Sequence, residues 1–484
     1  MTLQTSVSVA SVVSALALTL AACATAPSKA SSSDPAPISV GVAEIGITPD
    51  EPIRLTGYGN RVEPAGEVRQ RLWARALAFG GGRRAAVLIT ADLIGVPRRL
   101  SDDLARRLAD AGVERGTVAI SATHTHTGPS LSGVLPYIFN SPVTPPQQAA
   151  IDRYTTRLSA LLEKVARAAL ADRKPARLAW AQGRARFAAN RRVVKDGKWT
   201  GFGITPDGAV DHDLPILTVR GIDGALRAVL VSYACHATTL EGRDNYIHGD
   251  WPGVTRELIQ KRHPGAIALV AIGTGADSNP NPRGGGLPDV ERHAEAVAAE
   301  VDRLLTTSMR PVRSVPEGRL RYIDLPLAPL PGRADWEARA KRDDPTGFQA
   351  RDILRRLDAG ERVSATATYP VQAWTFGSDL AMVFLGGEVV ADYGLRLKRE
   401  LDASRLWVNA YSNDVAFYVA SRRLIPEGGY EVTGSMVYYG QPSALSEGTE
   451  DLIVRTVHEL LPSGYRSAGT PTATVNDPAL HTPK

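Results

Sequence analysis

The chain has 484 residues, 43% hydrophobic and 22% charged, a balance that suits a globular fold with room for a sizeable core. A formal net charge of +5 is mild for this length, and no Lys/Arg cluster is interleaved with aromatics, which excludes nucleic acid as the partner. The only cysteines are Cys23 and Cys235, too few for a disulfide framework.

From the start of the chain, an apolar stretch over Val7 to Leu20 runs into Leu20-Ala-Ala-Cys23, although Met1 to Ser6 carries no Lys or Arg. A short apolar segment ending in small residues before a cysteine is a bacterial lipoprotein signal, and it is too short for a stable membrane span. The expectation is a signal peptide over 1–22, a lipidated Cys23 and a flexible Pro/Ala/Ser tether over 23–37. That anchor makes the membrane a partner. It places the chain in the cell envelope, on the periplasmic face of the outer membrane if the cell is Gram-negative.

Hydrophobic patterning then predicts strands over 39–48, 72–79 and 85–90, a helix over 98–111, and a strand over 117–120. A long helix follows over 147–171, with Leu158, Leu161, Leu162, Val165 and Ala169 at helical spacing. Strands are expected over 176–182, 215–219 and 228–234, a helix over 253–262, and over 266–272 a central strand buried on both faces. A Gly/Pro-rich stretch over 273–286 leads to a helix with Val290, Ala294, Val297, Val301 and Leu304 on one face. Later strands are read over 320–325, 365–375, 380–385 and 406–410, with helices near Arg339 and over 388–401 and 447–461. The tail over 467–484 is polar. This alternation predicts an α/β fold, a mixed β-sheet core covered by helices, in one large catalytic domain over 38–466.

Chemistry concentrates in Ser121-Ala-Thr-His-Thr-His-Thr-Gly-Pro-Ser130. On an extended chain His124 and His126 point to the same face, and Gly128-Pro129 stops the strand. Two imidazoles at a strand end suit a metal or a hydrogen-bonded loop equally. His236 in Tyr233-Ala-Cys-His-Ala-Thr-Thr239 ends another strand, and His248 in His248-Gly-Asp-Trp-Pro252 is also suggestive. Zinc hydrolases combine histidine nitrogens with a carboxylate, which points to Glu388 in Leu385-Gly-Gly-Glu388. Read alone, Glu388 serves equally well as a helix-start carboxylate. His263, His293, His458 and His481 read as surface residues, His212 as part of a polar turn, and Cys235 as a small buried hydrophobe.

These segments together resemble the neutral, non-lysosomal ceramidase family in its catalytic amino-terminal domain, from Val40 to about Tyr439. The ordered motifs are GVAEIGIT, TGYGNR, LWARALAF, ADLIG, SATHTHTGP, AANRR, YACHATT, HGDWPG, GADSNPN, LGGE, SNDVAFYV and EGGYE. The resemblance implies one zinc ion held by His124, His236, Glu388 and Tyr418. It further implies that His126 stands beside the metal, contacting it indirectly or touching substrate, and that Arg191 and Tyr430 stabilise the developing oxyanion. The implied activity is hydrolysis of a linear amide, as in ceramide or a related N-acyl lipid, by metal-activated water. Other outcomes compatible with the residues are hydrolysis of a different envelope amide or ester, or non-catalytic binding of lipid or peptide. No obligate protein partner is inferred. Two departures stand out. Asn279 occupies the position of the family's loop serine, with Ser278 displaced by one, and the family's carboxy-terminal β-sandwich is not expected here. Asn279 keeps an amide that can hydrogen-bond substrate.

Overall fold

The computed structural model describes residues 36–467. The signal peptide, Cys23, most of the tether and the tail beyond Ser467 lie outside the described residues. The strands in chain order are β1 (Ile38–Gly46), β2 (Trp73–Phe79), β3 (Ala85–Ala91), β4 (Val113–Ala122), β5 (Lys174–Arg184) and β6 (Ala188–Lys195). Then come β7 (Lys198–Thr205), β8 (Asp213–Gly221), β9 (Leu226–Tyr233), β10 (Ile267–Ile272), β11 (Ser278–Pro280) and β12 (Arg310–Val312). The last are β13 (Glu317–Pro326), β14 (Thr366–Phe376), β15 (Leu380–Leu385), β16 (Glu388–Val389), β17 (Leu406–Asn409) and β18 (Tyr418–Val419).

One nine-stranded sheet runs β10-β9-β8-β5-β1-β2-β3-β4, with β12 beside β5. Its β3/β4 and β9/β10 pairs are parallel and the others antiparallel, so the sheet is mixed as the alternation predicts. Alternation along β2 sets the layers. Ala74, Ala76 and Ala78 face the 145–171 helix and its Leu158, Leu162 and Val165. Leu77 and Phe79 face a second sheet, β13-β14-β15-β17, through Trp374, Phe376, Met382, Phe384 and Trp407. Small alanines thus sit under the helix and large residues fill the gap between sheets. The 145–171 helix begins after Thr144 in a capping box, with Gln147 reaching back to the Thr144 N–H at 3.1 Å.

Three expectations change. β10 is the last strand of its sheet, not a central one. Both its faces are nevertheless covered, with Ala268, Val270 and Ile272 in one core and Leu269 and Ala271 in the other. A doubly apolar run reports covered faces and is silent on lateral neighbours. Next, His293 is buried, stacked on Phe187 at 4.5 Å with Nε2 2.7 Å from the Pro282 carbonyl. It lies four residues before Val297, on the apolar stripe of its helix. Finally, the β6–β7 hairpin was not anticipated, although Asp196 (φ 50°) and Gly197 (φ 71°) form the left-handed pair that a two-residue hairpin turn requires.

Candidate metal centre

Strand β4 ends at Ala122, and His124 adopts a left-handed conformation with φ 58°. His124 and His126 are therefore brought together by a turn, not by alternation along an extended chain, and their Nε2 atoms lie 3.1 Å apart. A left-handed, non-glycine residue at a site is a strained conformation that the surroundings must hold. Thr125 bridges to Ala237 in the parallel sense, the His126 N–H donates to the Ala237 carbonyl at 3.3 Å, and Arg61 donates to the His126 carbonyl. His248 braces the same loop from behind: its carbonyl accepts from the Thr125 hydroxyl at 2.8 Å and the Thr127 hydroxyl at 2.7 Å. Its ring accepts the Asp250 N–H at 2.9 Å and takes no place beside the other histidines.

His236 follows the end of β9 and is fully buried, its N–H donating to the Ser278 carbonyl at 3.0 Å. Cys235 beside it is a buried free thiol. Glu388 and Tyr418 are register partners in the short parallel pair β16/β18. Glu388 thus sits in a strand, and the helix that it was expected to open begins at Ala391. Its Oε2 lies 3.0 Å from His124 Nε2 and 3.1 Å from His236 Nε2. The Tyr418 hydroxyl is 3.3 Å from His236 Nε2.

The hydrogen bonds on the far side of each ring decide what those distances mean. His124 Nδ1 faces the Ile94 carbonyl at 2.7 Å, His236 Nδ1 the Gly275 carbonyl at 2.9 Å, and His126 Nδ1 the Gly57 carbonyl at 3.1 Å. A carbonyl can only accept, so each Nδ1 carries the proton and each neutral ring presents a lone pair at Nε2. Burial pushes His236 down to about 4 and His126 down as well, which favours neutral rings. Lone pairs on two nitrogens therefore face a carboxylate oxygen that is buried and lacks a hydrogen-bond donor. Such an arrangement is repulsive unless a cation stands between them. Donors about 2.0–2.2 Å from a tetrahedral zinc sit roughly 3.3–3.6 Å from one another, slightly wider than this set. The separations here are 3.0, 3.1 and 3.3 Å. The donor set fits a metal, and His124, His126 and His236 form a cluster whose ligand atoms all lie within 4.8 Å.

Two side chains that the sequence reading overlooked complete the arrangement. Tyr439 donates its hydroxyl to Glu388 Oε1, which leaves Oε2 for the histidine side. Glu431, with no exposed surface, accepts from Arg191 Nε at 2.8 Å and from Arg192. Both lie in or beside quoted motifs, and the signal available was a tandem Arg-Arg needing a buried counter-ion. Gly57 is the third: at φ 95°, with an added Cβ 2.6 Å from His126 Nδ1, no other residue fits against the ring.

Arg191 is buried and donates from Nη1 to Asn279 Oδ1 at 3.2 Å and from Nη2 to the Tyr418 hydroxyl at 3.1 Å. Asn279 Oδ1 also accepts from Thr238 at 3.3 Å, which turns its NH2 away from both donors. Strand β11 pairs with β6, Ser278 opposite Asn190 and Asn279 opposite Ala189. Neighbours on a strand face opposite ways, so Ser278 is fully buried with an unpartnered hydroxyl, while Asn279 lines a cavity of about 290 Å³. His126, Arg191, Tyr418 and Tyr430 line the same cavity. A larger groove of about 1080 Å³ at the start of β4 shares no residue with it.

A family model described as neutral/alkaline non-lysosomal ceramidase, N-terminal, matches residues 38–285, more than half of the chain. The chain belongs to this family. The matched span holds His124, His126, Arg191, His236 and Asn279, whereas Glu388, Tyr418 and Tyr430 lie beyond it. Among solved structures, the neutral ceramidase from Pseudomonas aeruginosa superposes with a TM-score of 0.66 at 17% identity, over 91% of this chain and 77% of that one. A ceramidase complexed with C2 gives 0.65 at 17% identity, over 91% and 78%. At that identity the likeness establishes the fold. No curated protein matches the chain. Family and fold together support a ceramidase-like hydrolase whose histidine cluster is able to hold a metal.

Proposed function

We propose that this ceramidase-family chain is a zinc-dependent amidohydrolase that cleaves the linear amide of a ceramide-like N-acyl lipid, with His124, His236, Glu388 and Tyr418 holding one zinc ion. The observation that carries the reading is Glu388 Oε2, a buried carboxylate oxygen without a donor, faced by two imidazole lone pairs at 3.0 and 3.1 Å. When bound, zinc supplies a Lewis acid for the amide carbonyl and lowers the pKa of a water to roughly 7.

The chain's own groups supply orientation and proton handling. His126, with Nδ1–H fixed on Gly57, keeps an unprotonated Nε2 in the cavity, suited to take a proton from attacking water and return it to the leaving nitrogen. Arg191 has five N–H donors; those committed to Glu431, Asn279 and Tyr418 leave few to meet the substrate oxygen. It therefore holds Tyr418 and Asn279 in place as much as it offsets charge. The Asn279 NH2 and the Tyr430 hydroxyl remain to donate to the oxygen on which charge develops. Phe202 and Tyr430, edge to face at 5.1 Å, form an apolar wall on one side of the cavity. The reading is tested by metal content together with turnover of a fluorogenic N-acyl substrate: zinc-free protein that still turns over would end it.

No acyl-enzyme on Ser278 enters this scheme. Its hydroxyl is buried, unpartnered and on the face of β11 away from Asn279. Ser278→Ala should keep most activity, and stability should be unchanged or raised by about 1 kcal/mol, because an unsatisfied hydroxyl is removed. A covalent acyl adduct found on Ser278 by mass spectrometry would restore a serine mechanism.

The lipid anchor belongs to the same proposal, since it would hold the site near lipid substrates in the envelope. Cys23→Ala protein should lose both its acyl mass and its membrane fractionation. A wild-type chain without acyl mass would remove the anchor from the scheme.

A further inference from the structure

The cavity beside the metal centre has a charge pattern that a neutral ceramide headgroup does not explain. Among the described residues, two cations line it, Arg191 and Arg283, and no carboxylate does. Arg191 is matched at once by Glu431 at 2.8 Å. Arg283 has no such match: Glu241 is 4.0 Å away and is itself 3.3 Å from Arg243. The Arg283 residue is exposed at the rim of the cavity, its side chain about one-third accessible. It is laid against the wall by Tyr58, whose hydroxyl lies 3.3 Å from Nη2. Tyr58 in turn donates to the Leu240 carbonyl at 2.7 Å and packs its ring 5.1 Å from His126. A guanidinium fork with unused donors is thus fixed one side chain away from the imidazole that faces the reacting bond. Guanidinium recognises planar anions, above all carboxylates.

We propose that Arg283 is a specificity residue and that the preferred substrate is an N-acyl amide bearing an anionic headgroup, of the N-acyl amino acid class. This rests on the amidohydrolase reading above, keeps its N-acyl amide and replaces the neutral headgroup with an anionic one. Hydrolysis adds the oxygen of water to the acyl carbon, breaks the C–N bond and delivers a proton to the leaving nitrogen. The products are a fatty acid and a free amino acid. The acyl chain would leave past Phe202, which is 54% exposed where it borders the cavity.

The test compares N-dodecanoylglycine with N-dodecanoylethanolamine, which share a chain and an amide and differ by a carboxylate against a hydroxyl. Zinc-loaded wild type should show kcat/KM about tenfold or more higher for the glycine amide, the size of one charge-assisted hydrogen bond. Arg283→Gln should collapse that ratio, mainly through KM. Arg303→Gln, which removes an exposed cation outside the cavity that pairs with Glu300 and not with Glu241, should preserve it. Equal or inverted preference in the wild type, or a ratio that survives Arg283→Gln, would overturn the proposal. If neither amide is turned over, the fluorogenic N-acyl substrate decides the amidohydrolase reading separately. Calorimetric binding of the same two amides to wild type and Arg283→Gln then decides the headgroup question. Tighter binding of the glycine amide that depends on Arg283 supports the inference, and its absence refutes it.

Discussion

Removal of metal by a chelator is expected to abolish turnover and to lower the melting temperature in the same titration. The donors come from four distant segments, the loop after β4, the loop after β9, β16 and β18, so no unfolded chain presents them together. A ligand that binds only the native state stabilises by about 4 kcal/mol at a thousandfold excess over Kd. With an unfolding entropy of about 2.1 cal/mol/K per residue, that corresponds to a shift of roughly 4–5 °C for a fold of this size. His124→Ala combined with His236→Ala should lose both the metal and the chelator response. Tyr439→Phe provides a graded case: it frees Glu388 Oε1 without removing a proposed ligand, and should weaken metal affinity about 10- to 100-fold. Full metal content in the double variant, measured by elemental analysis, would sink the assignment.

Loss of Arg191 is expected to be the most damaging substitution that leaves every proposed ligand in place. Arg191→Ala strands Glu431, a carboxylate with no exposed surface, with Arg192 as its remaining partner. Arg192 still neutralises one oxygen, so what is lost is one charge-assisted hydrogen bond to a buried carboxylate, about 1.5–3 kcal/mol, readable as a fall in denaturant midpoint at unchanged slope. Turnover should fall about 10²- to 10³-fold as Asn279 and the Tyr418 hydroxyl lose their donors. Arg191→Lys separates the two effects. A point charge can still face Glu431 and recover part of the stability, but it cannot reach Asn279, Tyr418 and Glu431 at once, so activity should stay low. An Arg191→Ala enzyme with wild-type stability would show that Glu431 is not stranded and that this network is misread.

Much of the site was legible, for different reasons residue by residue. His124 and His236 follow apolar runs, and a histidine after a buried strand is visible from local pattern alone. Glu388 stands out in sequence only if a carboxylate is required beside the histidines, and the structure brings it next to His124 and His236. Tyr418 came from family resemblance alone, because nothing about a tyrosine in Phe417-Tyr418-Val419 distinguishes a ligand from a core residue. Tyr439 and Glu431 were missed because each works through one partner dozens to hundreds of residues away, |i−j| being 51 for Tyr439–Glu388 and 240 for Glu431–Arg191.

By itself the amino-acid order determined most of the elements, though not the β6–β7 hairpin, together with the mixed α/β class, since these depend on a period of two or 3.6 along a local stretch. Only the tertiary structure decided that β10 closes one edge of its sheet, that His124 turns left-handed, and that Glu388 divides its oxygens between Tyr439 and the histidines. The reason is that periodicity specifies which way a side chain faces, whereas what it meets depends on strand order. Strand order is lateral pairing between segments far apart in the chain, which no local period encodes.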